Sequence, residues 1–151
     1  MKQIKLSELD QKELDLLEQA KLAAQKYFNK RTNRRVGAAL LCNDGSIYQG
    51  TSIRRTNVSN STCAERMALD KAMFDQKYEY TTLAIIGYLD DTKPDEIIAP
   101  CGLCRQILAE AEYNGKTSQV FSVILASSNL SNIIKTDTKE LFPIPYHGKE
   151  K

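Results

Sequence analysis

The chain has 151 residues, of which 42% are hydrophobic and 26% charged, and its net charge is +2. These values suit a single domain spanning residues 1–151 with a proper core, and the near-neutral charge gives no case for a nucleic-acid or membrane surface. No apolar run approaches a membrane span, and the opening MKQIKLSELDQKE lacks the apolar stretch of a secretory leader, so a cytoplasmic location is expected.

Ser7, with Leu6 before it and Asp10 three residues on, reads as the N-cap of a first helix. Leu14, Leu17, Ala20, Ala24 and then Tyr27 or Phe28 recur at helical spacing, which predicts an amphipathic helix ending near Phe28. After the basic connection NKRTNRR, Val36–Cys42 forms a short apolar run. Asn-Asp-Gly is a turn signal, and SIYQGTS resumes in strand-forming residues, so a hairpin is expected.

A polar loop, IRRTNVSNST, leads to a second helix from Cys63 to Phe74. Thr82–Tyr88 reads as a buried strand, and a third helix runs from Pro100 to about Glu112. Pro100 suits its first turn, where a missing N–H costs nothing. Val120–Ala126 is another buried strand, SNIIKT a fifth, and TKELF a final helical turn. The order predicts an α/β fold: a single-domain α/β/α sandwich with a mixed five-stranded sheet and helices on both faces. Strands that are apolar throughout, rather than alternating, fit burial on both sides.

The four cysteines are Cys42, Cys63, Cys101 and Cys104. In a reducing compartment, metal ligands, nucleophiles or core thiols are expected before disulfides. Cys42 ends a buried strand and reads as a core thiol. Cys63, Cys101 and Cys104 instead fall at helix starts, where the helix dipole favours ionised thiols. The i, i+3 spacing of Cys101 and Cys104 puts both sulfurs on one side of a turn. With Cys63 they make three soft ligands, which suits zinc. A catalytic zinc carries three protein ligands, whereas a structural one wants a fourth. Glu65, two residues after a ligand, is placed to lean over the open position and carry protons without binding the metal.

Cys-Ala-Glu followed by Pro-Cys-Gly-x-Cys-Arg-Gln resembles the zinc-dependent cytidine deaminases. RVGAALL, CAER, PCGLCRQIL and ELFPIPY fall in that family's order, so the resemblance covers nearly the whole chain. A first-ligand cysteine points to its small three-cysteine class, the cytidine deaminases and blasticidin S deaminases. These are usually homotetrameric and act on small molecules. The resemblance implies Zn²⁺ on Cys63, Cys101 and Cys104, with zinc hydroxide attacking the amine-bearing ring carbon and Glu65 shuttling protons. It also implies that the Ala64 N–H donates to the ring carbonyl and the Ala99 carbonyl receives the leaving amine. Arg66, with help from Arg105 in the same pattern, would offset the net negative charge of three thiolates on one zinc.

The sugar-reading elements depart from the family. Where an Asn and a Glu usually bind the ribose, this chain has Ser52 and Arg54, and Arg34 stands where an aromatic residue often packs. A carboxylate that accepts from a hydroxyl has become a cation that cannot. Arg34, Arg54 and Arg55 read either as solvated loop residues or as a basic pocket for a carboxylate or phosphate. Tyr146, where nucleoside deaminases tend to have Phe, reads as a packing aromatic, and His147 as a solvated tail residue. The expected function is hydrolytic deamination of a cytosine-like amino-heterocycle. The alternatives are a zinc-binding protein without catalysis and a nucleic-acid editor, the latter disfavoured by the small net charge and by Cys63.

Overall fold

The structure is a computed structural model, and it describes residues 1–26, 34–88, 93–115 and 120–148. Its strands are β1 (Lys2–Ile4), β2 (Arg35–Cys42), β3 (Ile47–Thr51), β4 (Tyr80–Tyr88), β5 (Ser122–Ser127) and β6 (Ile133–Asp137). Its helices are α1 (Gln11–Gln25), α2 (Ala64–Phe74), α3 (Gly102–Asn114) and the short α4 (Thr138–Leu141). Among the described residues, no helix is long and apolar enough to cross a membrane.

The strands form one six-stranded sheet in the order β1-β6-β5-β4-β2-β3. Only β4 and β5 run parallel; the other neighbours are antiparallel. The mixed sheet matches the sequence expectation, with one strand more. The extra strand, β1, is three residues at the sheet edge, with Lys2 and Gln3 exposed and Ile4 buried. So short and polar a segment has no periodicity to read.

Strand periodicity explains the two cores. Leu83 and Ile85 of β4, with Val123 and Leu125 of β5, pack on the face that α2 and α3 cover. Their neighbours Ala84, Ile86, Ile124 and Ala126 pack on the opposite face, under Leu16, Leu17, Ala20 and Ala24 of α1. Side chains alternate between faces, so a strand buried on both sides must be apolar at every position. The β2–β3 hairpin turns where Asn-Asp-Gly marks it, with Gly45 at φ 86°. Its ladder closes through Cys42 N–H to the Ser46 carbonyl at 2.9 Å.

Two helix starts differ from expectation. Ser7 lies in a 3-10 turn, Leu6–Glu8, and α1 begins after Asp10. Asp10 accepts from Glu13 N–H at 2.9 Å while Glu13 accepts from Asp10 N–H at 3.1 Å. This full capping box satisfies two otherwise orphaned donors, which the Ser7–Asp10 pairing cannot do. The expected helix end near Phe28 lies outside the described residues; α1 ends at Gln25. Pro100 is not in the first turn of α3, which has Cys101 as its N-cap.

Both inner helices approach the sheet closely at a glycine. A Cβ on Gly50 of β3 overlaps the Ala64 carbonyl oxygen and comes 2.7 Å from Ala68 N, which shows how tightly α2 is pressed against the hairpin. On the other face, a Cβ on Gly37 overlaps the Ala20 carbonyl and comes 2.9 Å from Ala24 Cβ.

Candidate metal centre and active site

Cys63 is the N-cap of α2 and Cys101 the N-cap of α3, both with extended backbone and neither forming a side-chain cap hydrogen bond. Ser, Thr, Asp or Asn would normally stand there and turn back onto the helix. Here the thiols face each other instead. The Sγ atoms of Cys63, Cys101 and Cys104 all lie within 4.8 Å of one another. Tetrahedral zinc with Zn–S bonds of about 2.3 Å sets its sulfurs about 3.8 Å apart, so a small inward shift of each thiol completes the site. The donor set and its spacing fit zinc.

The thiols differ in exposure: Cys101 is exposed, Cys63 half-buried and Cys104 buried. Hydrogen bonding from Cys104, helped by Cys101 and by the charge of Arg66, lowers the Cys63 thiol to about 6 despite its burial. The bond to Cys63, together with burial, pushes Cys104 the other way and holds it protonated. In the metal-free protein, then, Cys63 carries the first negative charge of the cluster.

Glu65 occupies the first turn of α2 and is 6% exposed. Burial pushes its carboxyl up to about 7, with a smaller contribution from Cys63, while a hydrogen bond from Cys104 opposes the rise. A carboxyl with its folded pKa above the ordinary 4.5 adds stability below that value and loses it as pH rises towards 7. The loss is on the order of 3 kcal/mol. Metal-free Glu65→Gln protein is therefore expected to be more stable than the parent at pH 8 and to lose that advantage below pH about 4.5. Urea unfolding at the two pH values checks this, and a difference that does not vary with pH would place the carboxylate in solvent.

A cavity of about 470 Å³ opens over the cluster. Cys63, Ala64, Glu65, Arg66, Ala99 and Cys101 line it, as do Ser52, Arg34 and Arg54. Cys104 lies behind them, buried. The loop before α3 is held by Ile98, whose side chain fills the space over Gly87 at the end of β4. That contact fixes Ala99 and Cys101 beside the cavity. A larger hollow, about 610 Å³, lies between α3, α4 and the tail around Tyr113, Phe142 and Pro145. It contains no thiol, and the smaller cavity, which holds the ligand cluster, is the candidate site.

Other residues singled out in the sequence have defined places. Arg66 donates to the Ser61 carbonyl at 3.0 Å, which holds its guanidinium by the loop leading into Cys63. Ser52 Oγ accepts from Val36 N–H at 3.2 Å, so its hydroxyl ties the end of the hairpin together at the cavity wall. Arg105 donates to the Pro100 carbonyl at 2.9 Å and to the Leu141 carbonyl at 3.4 Å, clamping the start of α3 to α4. Arg55 is exposed, with its N–H on Ser61 Oγ at 3.1 Å. Cys42 is buried, with its thiol pKa raised by burial. Tyr146 is 72% exposed, and His147 stacks on Tyr113 with ring centroids 4.7 Å apart.

Sequence reasoning missed the role of Gln106. Its side-chain amide donates to the Tyr146 carbonyl at 2.7 Å and accepts from Tyr146 N–H at 2.8 Å, fastening the tail to α3. An amide that can both donate and accept, within Cys-Arg-Gln, was the available signal. Val58, Ile98 and Leu103, apolar residues of the cavity wall, carried no signal because each sits in an irregular segment or on an exposed helix face.

Comparison with known proteins agrees with this geometry. Residues 10–120 match the family described as the cytidine and deoxycytidylate deaminase zinc-binding region. The cytidine deaminase of Sporosarcina psychrophila is 38% identical over 95 residues, 63% of this chain and 66% of its own length. That of Halalkalibacterium halodurans is 36% identical over 95 residues, covering 63% of this chain and 68% of its own length. The aligned segment thus spans about two thirds of each of these relatives. A crystal structure of cytidine deaminase from Burkholderia pseudomallei superposes with a TM-score of 0.74 at 29% identity, covering 88% of this chain and 98% of that one. With its three-thiol cluster and its mixed sheet, the chain belongs to the cytidine and deoxycytidylate deaminase zinc-binding family.

Proposed function

We propose that the chain is a zinc-dependent hydrolytic deaminase of a cytosine-like amino-heterocycle, such as cytidine, deoxycytidine or a cytosine antibiotic. One observation carries this reading: a buried carboxyl, Glu65, touches a cluster of three thiols on the floor of an open cavity. A purely structural metal site needs neither the carboxyl nor the cavity.

Cys63, Cys101 and Cys104 would hold the zinc, which would supply the Lewis acidity that makes water nucleophilic near neutral pH. Glu65, with its carboxyl near 7, takes a proton from the attacking water and delivers it to the ring nitrogen beside the reacting carbon. It then takes the remaining proton from the new hydroxyl on that carbon and passes it to the departing amine. The Ala64 N–H, in the first turn of α2 where helix N–H groups have no intrahelical acceptor, donates to the ring carbonyl. The carbonyl of Ala99, an exposed residue of the cavity lining, accepts from the amino group. Arg66 tempers the charge of the thiolate cluster from its seat on Ser61. The C–N bond breaks, water supplies the new carbonyl oxygen, and ammonia leaves with no change of redox state.

The same reading takes the chain as one domain in the cytoplasm, where free thiols persist. It also assembles the chain as a homotetramer. Val58, Phe74, Leu103 and Ile144 are large apolar residues left exposed on the single chain, which supports burial between copies.

The test is ammonia release by the zinc-loaded protein from cytidine, deoxycytidine and cytosine antibiotics. Activity should disappear on chelation and return with zinc. Protein that holds one zinc per chain yet releases ammonia from none of these compounds would favour a binding protein without catalysis.

A further inference from the structure

Cys63, Cys101 and Glu65 line the inner part of the cavity, but its mouth carries a different chemistry. Arg34 and Arg54 are both exposed and both line the cavity. They come from separate segments that the backbone joins beside the reacting groups. Ser52 N–H donates to the Val36 carbonyl at 2.9 Å, and Ser52 Oγ accepts from Val36 N–H, which fixes the segment just after Arg34. Ile53 and Thr62 exchange backbone hydrogen bonds of 2.8 and 2.9 Å, so Arg54 leaves a bridge whose other side runs directly into Cys63. Both arginines are therefore anchored within two residues of a hydrogen-bonded frame that also holds the first thiol.

Charge gives this placement its meaning. Among the described residues that line the cavity are three arginines and a single carboxylic acid, Glu65. Glu65 is buried at the back of the cavity, and Arg66 donates to the Ser61 carbonyl. Among the described lining residues, the exposed cations are Arg34 and Arg54. Both also engage neighbouring groups, and a guanidinium has five N–H donors to divide among its partners. Two such forks on one rim match the oxygens of a carboxylate or a phosphate.

Resting on the deaminase reading, we infer that the preferred substrate carries an oxyanion, held by Arg34 and Arg54 at the mouth while the amino-heterocycle lies against Glu65. The anion is on the substituent at the far end of the molecule from the reacting amine. Arg54 is a specificity residue; it does not touch the atoms that react.

The experiment compares four substrates with one ring: cytidine, its 5′-phosphate, its 5′-carboxylate and its cationic 5′-amine. One or both acidic compounds should exceed cytidine in kcat/KM by about 10- to 100-fold, with the amine poorest. Preference for the phosphate over the carboxylate, or the reverse, identifies the source of the oxyanion. Raised salt should shrink the advantage, because the arginines are exposed. Arg54→Gln should reduce the ratio of acidic to neutral kcat/KM at least tenfold, Arg54→Lys should retain part of it, and Arg54→Glu should reverse the order of the acid and the amine. Calorimetric titration of the Glu65→Gln protein with the same compounds reads the preference as Kd without turnover. Equal kcat/KM for cytidine and both acids, unaltered in Arg54→Gln, overturns the inference and leaves the deaminase reading intact. No ammonia from any of the four, nor from deoxycytidine or the cytosine antibiotics, by zinc-loaded protein overturns the deaminase reading itself.

Discussion

Glu65→Gln is expected to lower kcat by about 10²–10⁴-fold while zinc content and fold are retained. The amide is nearly the same size as the carboxyl and can keep its place in the first turn of α2, but it cannot accept a proton from water or return one to the ring. Because Glu65 is buried beside Cys104, bulk water has little room to substitute for it. The Gln side chain still offers an oxygen to the Cys104 thiol, so the cluster is left largely undisturbed. Steady-state rates on a confirmed substrate, paired with zinc analysis of the same sample, separate loss of the proton carrier from loss of the metal. Turnover at the parent rate would remove Glu65 from the chemistry.

The second large effect comes from a methyl group. Gly50→Ala should destabilise the protein by about 3 kcal/mol, because the new Cβ collides with backbone atoms of α2 rather than with a movable side chain. The carbonyl it strikes belongs to Ala64, the residue between Cys63 and Glu65. Relief of the clash must push the start of α2 away from the hairpin, drawing Cys63 from the other thiols. Gly37→Ala is the control. It makes an equally severe collision with α1, on the far side of the sheet from the cluster. Chemical unfolding should show comparable losses for both, whereas zinc affinity at native temperature should fall much further in the Gly50 variant. Equal zinc affinities would mean that α2 absorbs the shift without moving its first turn.

What could be read from the sequence was whatever rests on local repetition or on a rare combination of residues. The apolar runs of β2, β4 and β5 announce strands buried on both faces, and Asn-Asp-Gly announces the hairpin turn. Cys-Ala-Glu with Pro-Cys-Gly-Leu-Cys announces the cluster, because few other structures need three thiols and a carboxyl at helix starts. The features that escaped depend on partners distant in sequence. β1 is a strand only because β6 offers it an edge, with Lys2 opposite Lys135. Arg105 fits the description of a charge near the thiols, yet its bonds run to Pro100 and Leu141, a pairing that exists only once α4 is folded. Ser7 and Asp10 are equally good capping residues by type; what separates them is that Glu13, rather than Asp10, reaches back to close the box.

The division of the thiols between two helices sets an order of assembly. Cys101 and Cys104 lie within one turn of each other, so α3 alone can bring them together. Cys63 arrives from α2, with the whole of β4 between it and Cys101. Closing that loop costs entropy that no local contact repays, so the third ligand joins only after α2 and α3 have docked on the sheet. A half-formed chain offers a metal two sulfurs, and only the docked chain offers three. Retention of the ion against a competing chelator therefore reports that β4 has been inserted, making the centre a record of completed folding as well as a place for chemistry.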